Sequence, residues 1–110
     1  HKTMNINGNF ITEENIIGKV CEIKIQKKIR KLKDKIIFIE NADPGFDFIF
    51  SHNIRGLVTK YGGPNSHMAI RCMELSIPAA IGIGEDNYNN LINSKHIELN
   101  CEIKKINIIN

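Results

Sequence analysis

Apolar positions fall into short blocks separated by polar or glycine-containing breaks, and the period changes from block to block. Residues 1–9 are polar and irregular and read as a disordered end or an appended remnant. Between Phe10 and Ile25, the cluster Ile16-Ile17-Gly18-Lys19-Val20 and the alternation Ile23-Lys24-Ile25 predict one or two strands. Ile36-Ile37-Phe38-Ile39 is apolar throughout, the mark of a strand covered on both faces. Asn41-Ala42-Asp43-Pro44 then supplies a helix start, with Asp43 as N-cap and Pro44 in the first position. Phe46, Phe48, Ile49 and Phe50 make the short helix that follows an aromatic plug for the core. Gly56 to Thr59 predicts a further strand, and Pro78-Ala79-Ala80-Ile81 another, ended by a turn at Gly82-Ile83-Gly84. Glu85 to Asn93 is Asn-rich and reads as a loop, with at most one helical turn near Tyr88 to Ile92. Ile97, Leu99, Cys101 and Ile103, then Ile106 and Ile108, predict a hairpin that bends between Asn100 and Lys105.

The central stretch is Tyr61-Gly62-Gly63-Pro64-Asn65-Ser66-His67-Met68-Ala69-Ile70-Arg71, with a helical pattern that runs on to Leu75. At about 100° per residue, Met68, Cys72 and Leu75 fall on one side and Ala69, Ile70 and Met73 on the other. Apolar residues then cover most of the circumference, so the helix is expected to be largely buried. One polar stripe remains, His67, Arg71 and Glu74. Helical side chains lean toward the N-terminus, which aims Arg71 back at His67. Asn65 or Ser66 is placed to be the N-cap, and the paired glycines Gly62 and Gly63 allow positive φ and a close backbone approach.

Composition narrows the classes. A chain of 110 residues makes one domain, here residues 10–110, and is small for an enzyme that holds two substrates. Its apolar content is 42%, with isoleucine by far the commonest apolar residue, 6% aromatics and no Trp, which favours β-rich packing. A net charge of +3 is too mild to argue for nucleic acid. The lysines and Arg30 between Gln26 and Lys35 have no interleaved aromatics for base stacking and read as a solvated loop or edge. No apolar run reaches the roughly 18 residues of a membrane span. Cys21, Cys72 and Cys101 have no short paired spacing, which argues against zinc and a disulfide framework and for reduced thiols in a cytoplasmic protein.

Strand, glycine turn and helix N-terminus together make a phosphate-binding geometry. Unpaired N–H groups and about half a positive charge at the helix start favour a dianion. Arg71 adds a charge-assisted partner, and a neutral imidazole at His67 is a competent nucleophile near neutrality.

The run from Gly56 to Ile70, continuing through Leu75-Ser76-Ile77-Pro78-Ala79-Ala80-Ile81-Gly82, resembles the phosphohistidine signature of phosphoenolpyruvate-utilising enzymes. The resemblance implies an α/β fold, a swivelling three-layer β/β/α domain, and a phosphorylated His67 whose loop is shaped by Gly62, Gly63, Asn65 and Ser66. It also implies a larger parent with an ATP-binding domain and a phosphoenolpyruvate/pyruvate domain as partners. Mg2+ and ATP are then expected in those partner domains and no cofactor in this one, with no nucleic-acid or membrane partner. Where the family usually has Arg-Thr after the glycines, this chain has Pro64-Asn65, and where the family has an arginine after the histidine, it has Met73. Arg71 is the candidate replacement, and the closest style is that of phosphoenolpyruvate synthase and pyruvate phosphate dikinase.

Two other readings compete. One is a binding or scaffold module that keeps the fold without the chemistry. The other is a hydrolase using Ser66 or Cys72 with His67. Adjacent Ser66 and His67 point in different directions, and Cys72 sits about 140° around the helix from His67, so neither pair forms the activating hydrogen bond.

Overall fold

The computed structural model describes residues 2–24 and 31–110. Eight strands form one mixed sheet: β1 (Lys2–Asn5), β2 (Asn9–Ile11), β3 (Asn15–Glu22), β4 (Lys35–Ile39), β5 (Gly56–Thr59), β6 (Ala79–Ile81), β7 (His96–Asn100) and β8 (Lys105–Ile108), in the order β1-β8-β7-β3-β4-β5-β6-β2. β3, β4, β5 and β6 run parallel, and the remaining pairings are antiparallel. A 3₁₀ helix, Pro44–His52, connects β4 to β5; helix α1, His67–Leu75, connects β5 to β6; and helix α2, Glu85–Leu91, follows β6.

The alternation of side chains along each strand divides the core in two. Ile37 and Ile39 of β4, Leu57 of β5, and Ala79 and Ile81 of β6 face Phe46 and Ile49 of the 3₁₀ helix and Met68, Ala69 and Cys72 of α1. Ile36, Phe38, Val58 and Ala80 face the other way and join Tyr88 and Leu91 of α2 with Ile97, Leu99, Ile106 and Met4. Residues of β4–β6 and of β7, β8 and β1 can share one cluster only if the sheet curls over itself. It does: Leu99 of β7 crosses to β5, where a Cβ on Gly56 would lie 3.2 Å from its Cδ2. The Cys101 thiol, just past β7, lies 3.6 Å from the carbonyl of Ala79 in β6. The two β layers expected from the sequence are thus two parts of a single curled sheet, with the 3₁₀ helix and α1 outside it. The α/β class holds.

The strand blocks and the hairpin lie where the pattern placed them, and Asp43 caps the 3₁₀ helix by accepting from the Gly45 N–H at 2.8 Å. Three expectations need correction. The polar first residues are not frayed: β1 pairs with β8 from Lys2↔Ile108 to Asn5↔Lys105, and Met4 and Ile6 are buried. The Asn-rich stretch after Gly84 is a helix, because Tyr88 and Leu91, one turn apart, are both wholly buried and anchor it. Helix α1 is buried on one side only: Met68, Ala69 and Cys72 are covered, while Ile70, Met73 and Leu75 are 42%, 59% and 43% exposed. Of the basic segment, Ile25 to Arg30 lies outside the described residues; Lys31 and Lys33 are exposed on either side of buried Leu32.

Candidate functional site

Parallel strands β4, β5 and β6 end along one edge, the place where α/β sheets present ligands. The segments that leave them are locked to one another. Thr59 Oγ1 donates to the Tyr61 carbonyl at 2.8 Å and accepts from the Gly82 N–H at 2.9 Å. The Tyr61 N–H reaches the Glu40 carbonyl at 2.8 Å, and the Gly84 N–H the Lys60 carbonyl at 2.9 Å. Lys60 Nζ lies 2.9 Å from Glu40 Oε2 and 5.0 Å from the centre of the Tyr88 ring, and the Glu40 carboxylate raises the ammonium's pKa. Gly62 (φ +126°) and Gly82 (φ +72°) both occupy the left-handed half of backbone space, and a Cβ on Gly82 would overlap the Gly62 carbonyl. Gly63 faces open space, with nothing within 4 Å of where its Cβ would be.

Pro64 and Asn65 form an exposed turn, and the N-cap position falls to Ser66. Ser66 makes no side-chain capping bond; its hydroxyl donates back to the Gly63 carbonyl at 2.8 Å. The amides of the first turn of α1 therefore lack the side-chain partner that a serine in this position usually supplies.

His67 is the first residue of α1, with its side chain 35% exposed. Its Nε2 lies 2.8 Å from Asp47 Oδ1, and Arg71 Nε lies 3.3 Å from the same oxygen. His67 and Arg71 thus share one face of the helix, as the stripe implies, but they meet through Asp47. Hydrogen bonding from His67, and then from Arg71, holds the Asp47 carboxyl below its ordinary range against the opposing effect of burial. Asp47 is therefore an ionised acceptor, which makes Nε2 the donor nitrogen of the ring. Arg71 also lies 3.5 Å from Glu74 Oε1, with its guanidinium carbon 5.2 Å from the centre of the Phe50 ring.

Asp47 was not singled out from the sequence, because the contact spans 20 positions. A signal exists: it is the lone charge in Phe46-Asp47-Phe48-Ile49-Phe50. With Phe46 and Ile49 turned into the core, Asp47 is left at the boundary with α1.

The hydrolase constellations do not form. Cys72 is wholly buried, and burial pushes its thiol up to about 12, far from a thiolate at neutral pH. Ser66 gives its proton to a carbonyl. His52 lies in the last turn of the 3₁₀ helix, and no described bond joins it to His67. Among the described residues, no group of three or more His, Cys, Asp or Glu side chains could hold a metal, and no helix is long and apolar enough to cross a membrane.

A family model described as "PEP-utilising enzyme, mobile domain" matches residues 32–103, a span that contains the glycine loop, Asp47, His67 and Arg71. No curated protein matches the chain. Among solved structures it is similar to the solution NMR structure of a UPF0107 protein, with a TM-score of 0.74 at 9% identity over 99% of this chain and 100% of that one. At that identity the likeness concerns the fold alone.

Proposed function

Because the chain belongs to the mobile-domain family of phosphoenolpyruvate-utilising enzymes, we propose that His67 carries a phosphoryl group between two active sites of a phosphotransferase. On this reading, one site holds a nucleotide and the other phosphoenolpyruvate or pyruvate, as in phosphoenolpyruvate synthase and pyruvate phosphate dikinase. Both sites belong to partner domains, which also supply Mg2+ and ATP.

The observation that carries the reading is the placement of His67. It stands at the first position of α1, beside a glycine loop with open space at Gly63 and one turn before Arg71. Uncapped amides, the helix dipole and a guanidinium together suit a phosphoryl dianion. The base of the site is rigid, since α1 packs Met68, Ala69 and Cys72 into the core and the loop is pinned through Thr59. Such a domain presents its histidine in one geometry to two partners. The acceleration of each transfer comes from positioning and charge in the partner sites. The 110 residues alone should show no turnover of phosphoenolpyruvate.

Replacing His67 with Ala in the protein that contains this chain tests the reading. A carrier loses all phosphoryl transfer while the domain still folds, with no more than the small stability loss of a half-exposed pair to Asp47. Retention of most of the activity would instead make the domain a scaffold.

A further inference from the structure

One oxygen of Asp47 serves both a ring nitrogen and a guanidinium: Oδ1 is 2.8 Å from His67 Nε2 and 3.3 Å from Arg71 Nε. A phosphoryl group on Nε2 would carry its oxygens into the same space, beside the same nitrogen and within reach of the same guanidinium. The two anions cannot share that place, because like charges at contact distance repel strongly at a half-buried site. Arg71 has reasons to stay where it is. Its guanidinium lies over the Phe50 ring at 5.2 Å and reaches Glu74 at 3.5 Å. The member with solvent to turn into is Asp47, whose side chain is 43% exposed on a 3₁₀ helix.

We propose that Asp47 is a built-in substitute for the phosphoryl group: it occupies the group's place in the unphosphorylated chain and is expelled by it, with Arg71 passing from carboxylate to phosphoryl. This rests on the carrier reading of His67. It deepens that reading by assigning a cost to the charged carrier. The unphosphorylated state keeps two charge-assisted bonds to Asp47, and the phosphorylated state forfeits them. Asp47 therefore favours release of the phosphoryl group to an acceptor.

Attack needs a lone pair on Nε2, which in the resting pair holds the proton donated to Asp47. That proton leaves through the Asp47 carboxylate to water, and Nδ1 takes one from water, so the ring stays neutral. The Nε2 lone pair then forms the N–P bond. The P–O bond of phosphoenolpyruvate breaks, and its electron pair departs with the pyruvate enolate oxygen. Nδ1 then returns its proton to water, leaving the phosphorylated ring neutral, and the enolate takes a proton from water at carbon to give pyruvate. Asp47, displaced, points away from the new dianion.

The test uses the protein that contains this chain, equilibrated with set ratios of phosphoenolpyruvate and pyruvate. Phosphohistidine on the His67 peptide is quantified for wild type, Asp47→Asn, Asp47→Glu and His67→Ala. Asp47→Asn should raise the equilibrium ratio of phosphorylated to free carrier about tenfold, equivalent to about 1.4 kcal/mol. Asp47→Glu, which restores the charge, should bring it back down, and His67→Ala should show no label. A ratio for Asp47→Asn within about twofold of wild type overturns the proposal while leaving the carrier intact; no label on wild-type His67 overturns both. A second readout needs no variant: the Arg71 Nε–H resonance of the wild-type protein should move on phosphorylation, and an unmoved resonance counts against the exchange.

Discussion

Gly82→Ala is the substitution that best isolates how the loop is built. The native φ of +72° penalises any residue with a Cβ by about 1–2 kcal/mol. The added methyl also overlaps the backbone carbonyl of Gly62, which has little freedom to retreat. Gly62 itself sits against Ala42, where a Cβ on the glycine would come within 2.6 Å of the alanine's own. Relieving such an overlap by a backbone shift adds about 1–3 kcal/mol, so the total expected loss is about 2–5 kcal/mol. Gly63→Ala is the control. It lies in the same loop but has no positive φ and nothing within 4 Å, so its stability should stay within about 0.5 kcal/mol of wild type. Urea unfolding of both variants reads the difference directly. Function should divide the other way at Gly63: on the carrier reading, a methyl in that open space obstructs the approach of a partner site to the loop and lowers labelling of His67 without loss of stability. Equal unfolding midpoints for Gly82→Ala and Gly63→Ala would refute the account of the loop.

Three further outcomes are expected. Met68→Ala removes a wholly buried side chain between α1 and the sheet and should cost about 2–5 kcal/mol in urea unfolding; a loss under 1 kcal/mol would place α1 outside the core. The pKa of Asp47 is lowered by folding, so its stabilising effect is complete above the unfolded value, near 3.8, and is lost as pH falls through the lower folded value. The stability difference between wild type and Asp47→Asn should therefore shrink below about pH 4, read as urea midpoints from pH 6 down, and a difference constant across that range would contradict the ion pair. Cys21, Cys72 and Cys101 are all buried, and a thiol-directed reagent should label them only on unfolding, in step with loss of circular dichroism.

Local signals in the chain reported local structure well. The apolar block Ile36–Ile39, the Asp43-Pro44 helix start, the left-handed Gly62 (though not its neighbour Gly63) and the hairpin around Cys101 to Lys104 all depend on neighbours a few positions away. What was illegible depends on distant partners. Residues 2–5 look frayed because their strand exists only through β8, about a hundred positions on. Helix α2 hides behind its asparagines, although Tyr88 and Leu91 carry the spacing of a buried face. The period of α1 does not tell a helix covered all round from one whose second apolar face, Ile70 and Met73, stays open. At the site, helix position alone brought His67 and Arg71 to one face, whereas the carboxylate that joins them arrives from another element.

The most direct measurement labels the protein that contains this chain with β-labelled ATP, γ-labelled ATP and labelled phosphoenolpyruvate in separate incubations. The His67 peptide is then examined for acid-labile, base-stable label. Label is expected from β-labelled ATP and from phosphoenolpyruvate, and none in His67→Ala. Label from phosphoenolpyruvate alone would keep the carrier but contradict the nucleotide site, and an unlabelled His67 with every donor in a folded protein would contradict the carrier itself.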